Sequence, residues 1–302
     1  MKDSSNDEFI SMADFYSILF SYKKIIIISF ISFAFFSVSY SLSLPNKFTS
    51  TVSLEVKLGQ DSNKSSGGFG GLSSLVGMNT GANKSAMLRS MILSKSFAKK
   101  LIQYEGIAES IMAAKSFDIV SGMIIYDEDV YDIAQKKWVR DISHPFKVIP
   151  SYLEIHNEYS SFLRVSIDES SGLMEISFEH ISPFFSQYFI DIIVKEANLF
   201  MKNRDYNESK RALIFLNKQI LKSSQLEVKK ALGSLVETQL KKQMISDISD
   251  EYALSTINAS FVPELKSSPN RAFICILGTF IGLIISVVVA MSHFFYKKMK
   301  TS

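Results

Sequence analysis

Two uncharged apolar runs lie near the two ends of the chain. The first covers residues 25–44 and reads IIIISFISFAFFSVSYSLSL; the second covers residues 272–296 and holds 25 residues without a charge. A helix of about 20 apolar residues crosses the hydrocarbon core of a bilayer, so both runs predict transmembrane helices. The first run is longer than the roughly 7–15 apolar residues of a signal peptide, and no small-x-small cleavage site follows it. We therefore interpret it as a retained span.

The lysines beside these runs predict the orientation of the protein in the membrane. They are Lys23 and Lys24 before the first run, and Lys297, Lys298 and Lys300 after the second. Lysine next to a span marks its cytoplasmic side. Residues 1–24 and 297–302 are therefore predicted to be cytoplasmic tails, and residues 45–271 a large domain on the opposite side of the membrane.

Shorter patterns predict mixed secondary structure in that domain. Apolar and polar residues alternate over residues 51–58, which predicts a half-buried strand. They alternate again over residues 163–167 and 174–178, on either side of the turn sequence DESSG, and this predicts a β-hairpin. Apolar residues at helical spacing over residues 86–104 predict one helix, ended by Gly106.

The longest pattern predicts an extended helix. Ser182 and Pro183 suit an N-cap and a first helical position, and residues 184–247 contain no proline and one glycine. A continuous helix over that range would be roughly 95 Å long, with a possible break at the polar patch of residues 202–209. The predicted fold class is an α+β domain with a long extended helix, anchored by two transmembrane helices.

The long segment carries a narrow apolar stripe. Its members are Leu213, Leu216, Ile220, Val228, Leu232 and Leu235. An intramolecular helical hairpin is one way to cover such a stripe, and packing against a second copy is the other. We favour self-association because the stripe is too long for a compact domain to bury. Copies held in one membrane orientation favour a ring around the membrane normal.

Small residues mark one face of the second span. Gly278, Gly282 and Ser286 follow each other at intervals of four, a spacing that lets membrane helices approach closely. Pro263 and Pro269 precede the span and favour an extended entry into the membrane. These five residues form the predicted transmembrane and partner motif.

Composition excludes several classes of function. Residues 45–271 hold 27 basic and 26 acidic residues, which gives no footprint for nucleic acid. The one cysteine, Cys275, lies inside the second span, so no disulfide framework is possible. Four scattered histidines and the absence of a GxSxG or HExxH motif predict no catalytic, metal or cofactor site. The glycine-rich residues 59–85 lack the phosphate-binding motifs and predict a flexible loop.

Three stretches resemble the polysaccharide co-polymerases, the Wzz or chain length determinant family. Residues 41–48, SLSLPNKF, resemble the ALSLPxxY-like end of that family's first span, and residues 70–77, GGLSSLVG, resemble its GGLxxLxG segment. The third stretch includes EYA at residues 251–253, VPE at 262–264 and SPNRA at 268–272. The resemblance covers nearly the whole chain. No Walker motif follows the second span, so it is similar to members without a kinase domain.

The resemblance implies a non-enzymatic regulator of surface polysaccharide chain length, most specifically of lipopolysaccharide O-antigen. It implies a two-pass protein of the bacterial inner membrane with its large domain in the periplasm. Its implied partners are further copies in a ring, a Wzy-type membrane polymerase and lipid-linked glycan. The alternatives are a capsule or exopolysaccharide export component that bridges the inner and outer membranes, a two-span sensor and a periplasmic hydrolase.

Overall fold

The computed structural model describes residues 22–57, 81–168 and 170–301. The N-terminal tail before residue 22 and residues 58–80, which include the GGLxxLxG match, lie outside the described residues. The loop prediction over residues 59–85 is wrong for residues 81–85, which are helical. The chain divides into two units. One contains the two terminal apolar helices, up to Asn46 and from Ser267, and the other is Lys47–Lys266.

The described helices and strands are as follows. The helices are α1 (Lys23–Ser43), α2 (Gly81–Ile92), α3 (Lys95–Leu101), α4 (Ile107–Met112), α5 (Tyr152–Ser160), α6 (Pro183–Lys222), α7 (Leu226–Ile248) and α8 (Arg271–Thr301). The strands are β1 (Phe48–Val56), β2 (Ala114–Asp118), β3 (Met123–Tyr126), β4 (Tyr131–Asp132), β5 (Lys137–Trp138), β6 (Leu163–Ile167), β7 (Met174–His180) and β8 (Leu254–Asn258). The mixture of helices and sheet confirms the predicted α+β fold class.

The terminal unit is built from the two apolar runs. Ile26–Ser43 in α1 and Arg271–His293 in α8 are long and apolar enough to cross a membrane, by length and composition. Most of their large apolar side chains point away from the protein, as expected for helices whose surroundings are lipid. The predicted helical form of both runs is confirmed.

A four-stranded antiparallel sheet organises the other unit, in the order β6-β7-β1-β8 among the described strands. Val52 on β1 lies opposite Ile176 on β7, which in turn lies opposite Val165 on β6. These three side chains are buried because alternate residues of each strand face one side of the sheet. The predicted strand at residues 51–58 and the predicted hairpin are both confirmed, with β1 ending at Val56.

The buried side of the sheet is covered by α6 and by the short helices. Phe185, Phe189 and Ile193 on the first half of α6 join the sheet residues in one hydrophobic core, together with Phe97 and Tyr159 from α3 and α5. Fully burying one such side chain stabilises the fold by roughly 1.5–3 kcal/mol. The first half of α6 is therefore a core helix.

The prediction of one helix over residues 86–104 is wrong. The structure has α2 and α3, with a turn at Leu93 and Ser94. The Ser94 hydroxyl accepts a 3.2 Å hydrogen bond from the backbone N–H of Phe97 and so caps α3. This local bond provides a new helix start, and it turns Phe97 and Leu101 into the core.

The predicted long helix is present, but it does not continue to residue 247. The Ser182 cap and Pro183 begin α6 as expected, and α6 runs on through residues 202–209. It ends at Lys222, and after three non-helical residues α7 returns along it in the antiparallel direction. Lys202 near the start of the paired region donates to the Asp247 carbonyl near the end of α7 (3.1 Å). We call this pair, residues 202–248, the helical hairpin.

A buried histidine joins the sheet to the start of α6. The His180 ring accepts from the Ser182 N–H at Nδ1 (3.1 Å), so its Nε2–H donates to the Ser110 carbonyl on α4 (2.9 Å). Burial lowers the pKa of His180 from 6.5 to about 4, although the hydrogen bond to the Ser110 carbonyl partly opposes the shift. The ring is therefore neutral at ordinary pH and holds β7, α4 and α6 together.

Candidate interaction surfaces

The small residues of α8 pack against α1 of the same chain. A Cβ atom on Gly278 would lie only 2.6 Å from the Ser37 Cβ, and one on Gly282 would lie 2.8 Å from the Phe33 Cγ. Ser286, one turn further along, is fully buried. Glycine at these two positions is what lets the helices approach so closely. The chain itself thus covers part of the face predicted to contact other molecules.

Polar contacts reinforce this helix pair at two levels. The Ser37 hydroxyl donates to the Ile274 carbonyl (3.0 Å), and at the ends of the helices the Arg271 guanidinium donates to the Asn46 side-chain oxygen (3.1 Å). The Ser286 hydroxyl donates to the Gly282 carbonyl within α8. In a bilayer such contacts replace water, so they favour one fixed arrangement of α1 and α8.

The two prolines of the predicted motif lie in the non-helical stretch between β8 and α8. Pro263 is buried in the sheet-containing unit, and Pro269 stands two residues before α8 begins. The stretch has no helix, as the prolines predict. A contact of either proline with a partner stays a prediction.

The predicted apolar stripe is divided by the helical hairpin. On α6, Leu216 is buried and Leu213 and Ile220 are half-buried; on α7, Leu232 is half-buried. Val228 and Leu235 remain exposed, at 41% and 50%. The intramolecular hairpin, which was the alternative to self-association, is present in the structure. Self-association through the exposed remainder stays a prediction.

The polar patch interpreted as a possible helix break is instead where α6 makes its buried polar contacts. Asp205 is 3% exposed, and its carboxylate accepts a 2.9 Å hydrogen bond from the Tyr252 hydroxyl. Lys242 on α7 lies 3.6 Å from the same carboxylate, and the neighbouring Arg204 lies 3.3 Å from it. Burial, followed by the charge of Asp205, raises the pKa of Tyr252, so the phenol stays protonated as a donor.

Asn198 lies two turns before Asp205 on α6 and binds the backbone of the segment that contains Tyr252. Its side-chain oxygen accepts from the N–H groups of Ala253 and Leu254 (2.8 and 2.9 Å), and its amide donates to the Leu254 carbonyl (3.0 Å). Sequence reasoning missed both residues. The signal available in the sequence was the helical spacing of these two polar residues, which puts them on the same side of α6. They contact the segment with the EYA sequence at residues 251–253, which the family resemblance had already singled out.

The part of the helical hairpin nearest its turn is strongly basic. Residues 210–242 contain eight basic and two acidic residues. The basic residues are Lys210, Arg211, Lys218, Lys222, Lys229, Lys230, Lys241 and Lys242. Among the described residues, Lys242 is the one member of this set that has an acidic partner within 4 Å, through Asp205 and Glu208.

These features define a class: an α+β body with a helical hairpin, on a chain that also carries two helices capable of spanning a membrane. Residues 8–105 match the family model Wzz, described as chain length determinant protein. This match agrees with the resemblance to the Wzz family seen in the sequence, and it covers about the first third of the chain. The matched range includes α1, β1 and α2.

A solved structure described as a full-length bacterial polysaccharide co-polymerase is also similar to this chain. The similarity covers 96% of this chain and 99% of that chain, at 12% sequence identity and a TM-score of 0.39. The fold described above rests on this chain's own helices and strands. No curated protein matches the sequence.

Proposed function

We propose that this protein regulates the chain length of a surface polysaccharide, and specifically of lipopolysaccharide O-antigen. It acts as an oligomeric co-polymerase of the bacterial inner membrane together with a Wzy-type polymerase. The observation that carries this proposal is the Wzz match over residues 8–105. The match includes the first span and the first strand of the Lys47–Lys266 unit, which we call the outer body.

The arrangement of the chain supports a membrane-anchored regulator. Two helices long enough to span a bilayer flank the Lys47–Lys266 unit in sequence, and lysines lie at their predicted cytoplasmic ends. These features support our proposal of a periplasmic body, on the side of the membrane where lipid-linked glycan is extended. Within the described parts of the chain, no three His, Cys, Asp or Glu side chains cluster as metal ligands.

The proposed mechanism separates recruitment from length control. The membrane helices and the segment from Pro263 to Gly282 recruit the polymerase, and the outer body governs how long the growing glycan stays engaged. Because α1 covers the glycines of α8, we assign Gly278 and Gly282 the role of setting the shape of the helix pair. The polymerase then meets the outward, apolar sides of that pair.

Deleting the gene and separating the surface glycan on a gel tests the proposal. We expect the preferred length to be replaced by a broad distribution weighted to short chains, and a plasmid copy to restore it. Loss of all surface glycan would instead indicate the export alternative, and an unchanged ladder would reject a role in chain length. Reporter fusions at residue 150 must also be active in the periplasm, because the proposal requires that topology.

A further inference from the structure

Charge is distributed unevenly over the outer part of the chain. Residues 45–271 as a whole are almost neutral, with 27 basic and 26 acidic residues, yet residues 210–242 hold eight basic and two acidic ones. The rest of the segment is left with 19 basic and 24 acidic residues. The excess positive charge of residues 45–271 is thus concentrated on the helical hairpin. Such concentration creates a local potential that attracts anions.

The cations of α6 lie on the side of the helix opposite its buried residues. Lys210, Arg211, Lys218 and Lys222 are exposed and fall within an arc of about 140° around the helix axis. Asp205, Ser209 and Leu216 occupy the opposite, buried side. Like charges one turn apart repel each other, at a cost of about 0.2–0.5 kcal/mol per pair. Lys218 and Lys222 are one such pair, and an anionic partner relieves their repulsion.

Exposed apolar residues alternate with these cations on the same arc. They are Ile214, Phe215 and Leu221, which are 64%, 59% and 87% exposed. We call the seven residues of the arc the basic outer face. This arc therefore offers both apolar and cationic side chains to a ligand.

We propose that the basic outer face binds an anionic glycan, a polymer of sugar rings that carries carboxylate or phosphate groups. This inference rests on the proposed function, which brings glycan to the outer body. A sugar polymer presents apolar ring faces between its charged groups, and the basic outer face likewise presents apolar side chains between cationic ones. A helix that lies on a bilayer instead separates its apolar side from its charged side, and here the two are mixed.

Binding of defined glycans to the full-length protein tests the inference. The protein is placed in nanodiscs of zwitterionic lipid, and fluorescence anisotropy follows labelled oligogalacturonate, which is anionic, and dextran of equal length, which is neutral. We expect binding of oligogalacturonate that weakens as salt is raised, and little binding of dextran. A variant with Lys210, Arg211, Lys218 and Lys222 all changed to Gln should bind about tenfold more weakly.

Two further variants separate this surface from charge in general. Changing Lys95, Lys99, Lys100 and Lys137 to Gln removes the same charge from exposed positions elsewhere in the body and should alter affinity less than about twofold. Phe215→Ala leaves the charge unchanged and should weaken binding about threefold through the lost ring contact. Circular dichroism of each variant establishes that the helices are intact.

Several results would overturn the inference. They are equal binding of dextran, equal loss in both charge variants, an altered oligomeric state of the hairpin variant, or binding of the same face to phosphatidylglycerol vesicles in place of glycan. A broadened glycan ladder after gene deletion without oligogalacturonate binding would reject this surface and leave the chain-length role standing. Specific binding of oligogalacturonate together with an unchanged ladder would support this surface and reject the chain-length role.

Discussion

The Tyr252 hydroxyl donates a 2.9 Å hydrogen bond to the buried carboxylate of Asp205, joining α6 to the segment that leads from α7 into β8. The same carboxylate lies 3.6 Å from Lys242 of α7. One acidic side chain therefore connects three consecutive elements at the base of the helical hairpin. Because the carboxylate is removed from water, loss of any one contact is costly.

Replacing Asp205 by Ala should lower the free energy of unfolding by about 2–3 kcal/mol, because the Tyr252 hydroxyl is left buried without its acceptor. Glu208→Ala is the matched control, since Glu208 contacts the same Lys242 at 3.5 Å from an exposed position. It should cost less than about 0.5 kcal/mol. Thermal unfolding of the purified protein measures both, and equal shifts would contradict the role of Asp205.

Asn198→Leu should destabilise the protein by roughly 2–4 kcal/mol, because it leaves two N–H groups and one carbonyl of the backbone without partners in the core. Asn198→Asp retains the acceptor and loses the donor, so an intermediate loss is expected. Hydrogen exchange at Ala253 and Leu254 checks the cause directly. Unchanged protection of these amides in the Leu variant would show that Asn198 does not hold them.

Gly282→Ala should separate α1 from α8, because the added Cβ meets the Phe33 side chain, and overpacking of this kind costs about 1–3 kcal/mol. Gly233→Ala on α7 is the control, since nothing lies within 4 Å of a Cβ there. In that exposed helix the change should stabilise by up to about 1 kcal/mol. Thermal unfolding of both variants measures the two changes in stability.

The glycan ladder supplies a second readout for the same helix pair. Leucine at Gly278 and Gly282 should change the chain-length distribution more than it changes protein abundance. An unaltered ladder at normal abundance would show that the shape of the helix pair has no part in length control.

Stability should fall as the pH is lowered from about 6.5 to about 4, because unfolded His180 takes up a proton in this window and the folded, buried ring does not. The contribution of His180 is complete above the unfolded pKa and lost near the folded one, and it amounts to at most about 3 kcal/mol. His180→Asn should reduce this slope. Unfolding midpoints of both proteins across that range measure the difference, and parallel slopes would contradict the assignment.

Elements dictated by local pattern were predictable from the sequence. The apolar runs of α1 and α8 are long enough to specify helices, and alternation specifies β1 and the β6–β7 hairpin, because side chains on a strand alternate between its two faces. Ser182 and Pro183 mark the start of α6 through cap chemistry that involves only neighbouring residues.

Tertiary contacts determined the rest. The polar patch at residues 202–209 stays helical because Asp205 finds its partners in Lys242 and Tyr252, which are distant in sequence. The helix ends instead at Lys222, where no proline or glycine marks a stop, because turning back lets α7 cover the half-buried side of α6. The spacing of Gly278 and Gly282 predicted close helix packing, but only the folded chain shows that its own α1 is the neighbour, since small residues specify closeness and not the partner.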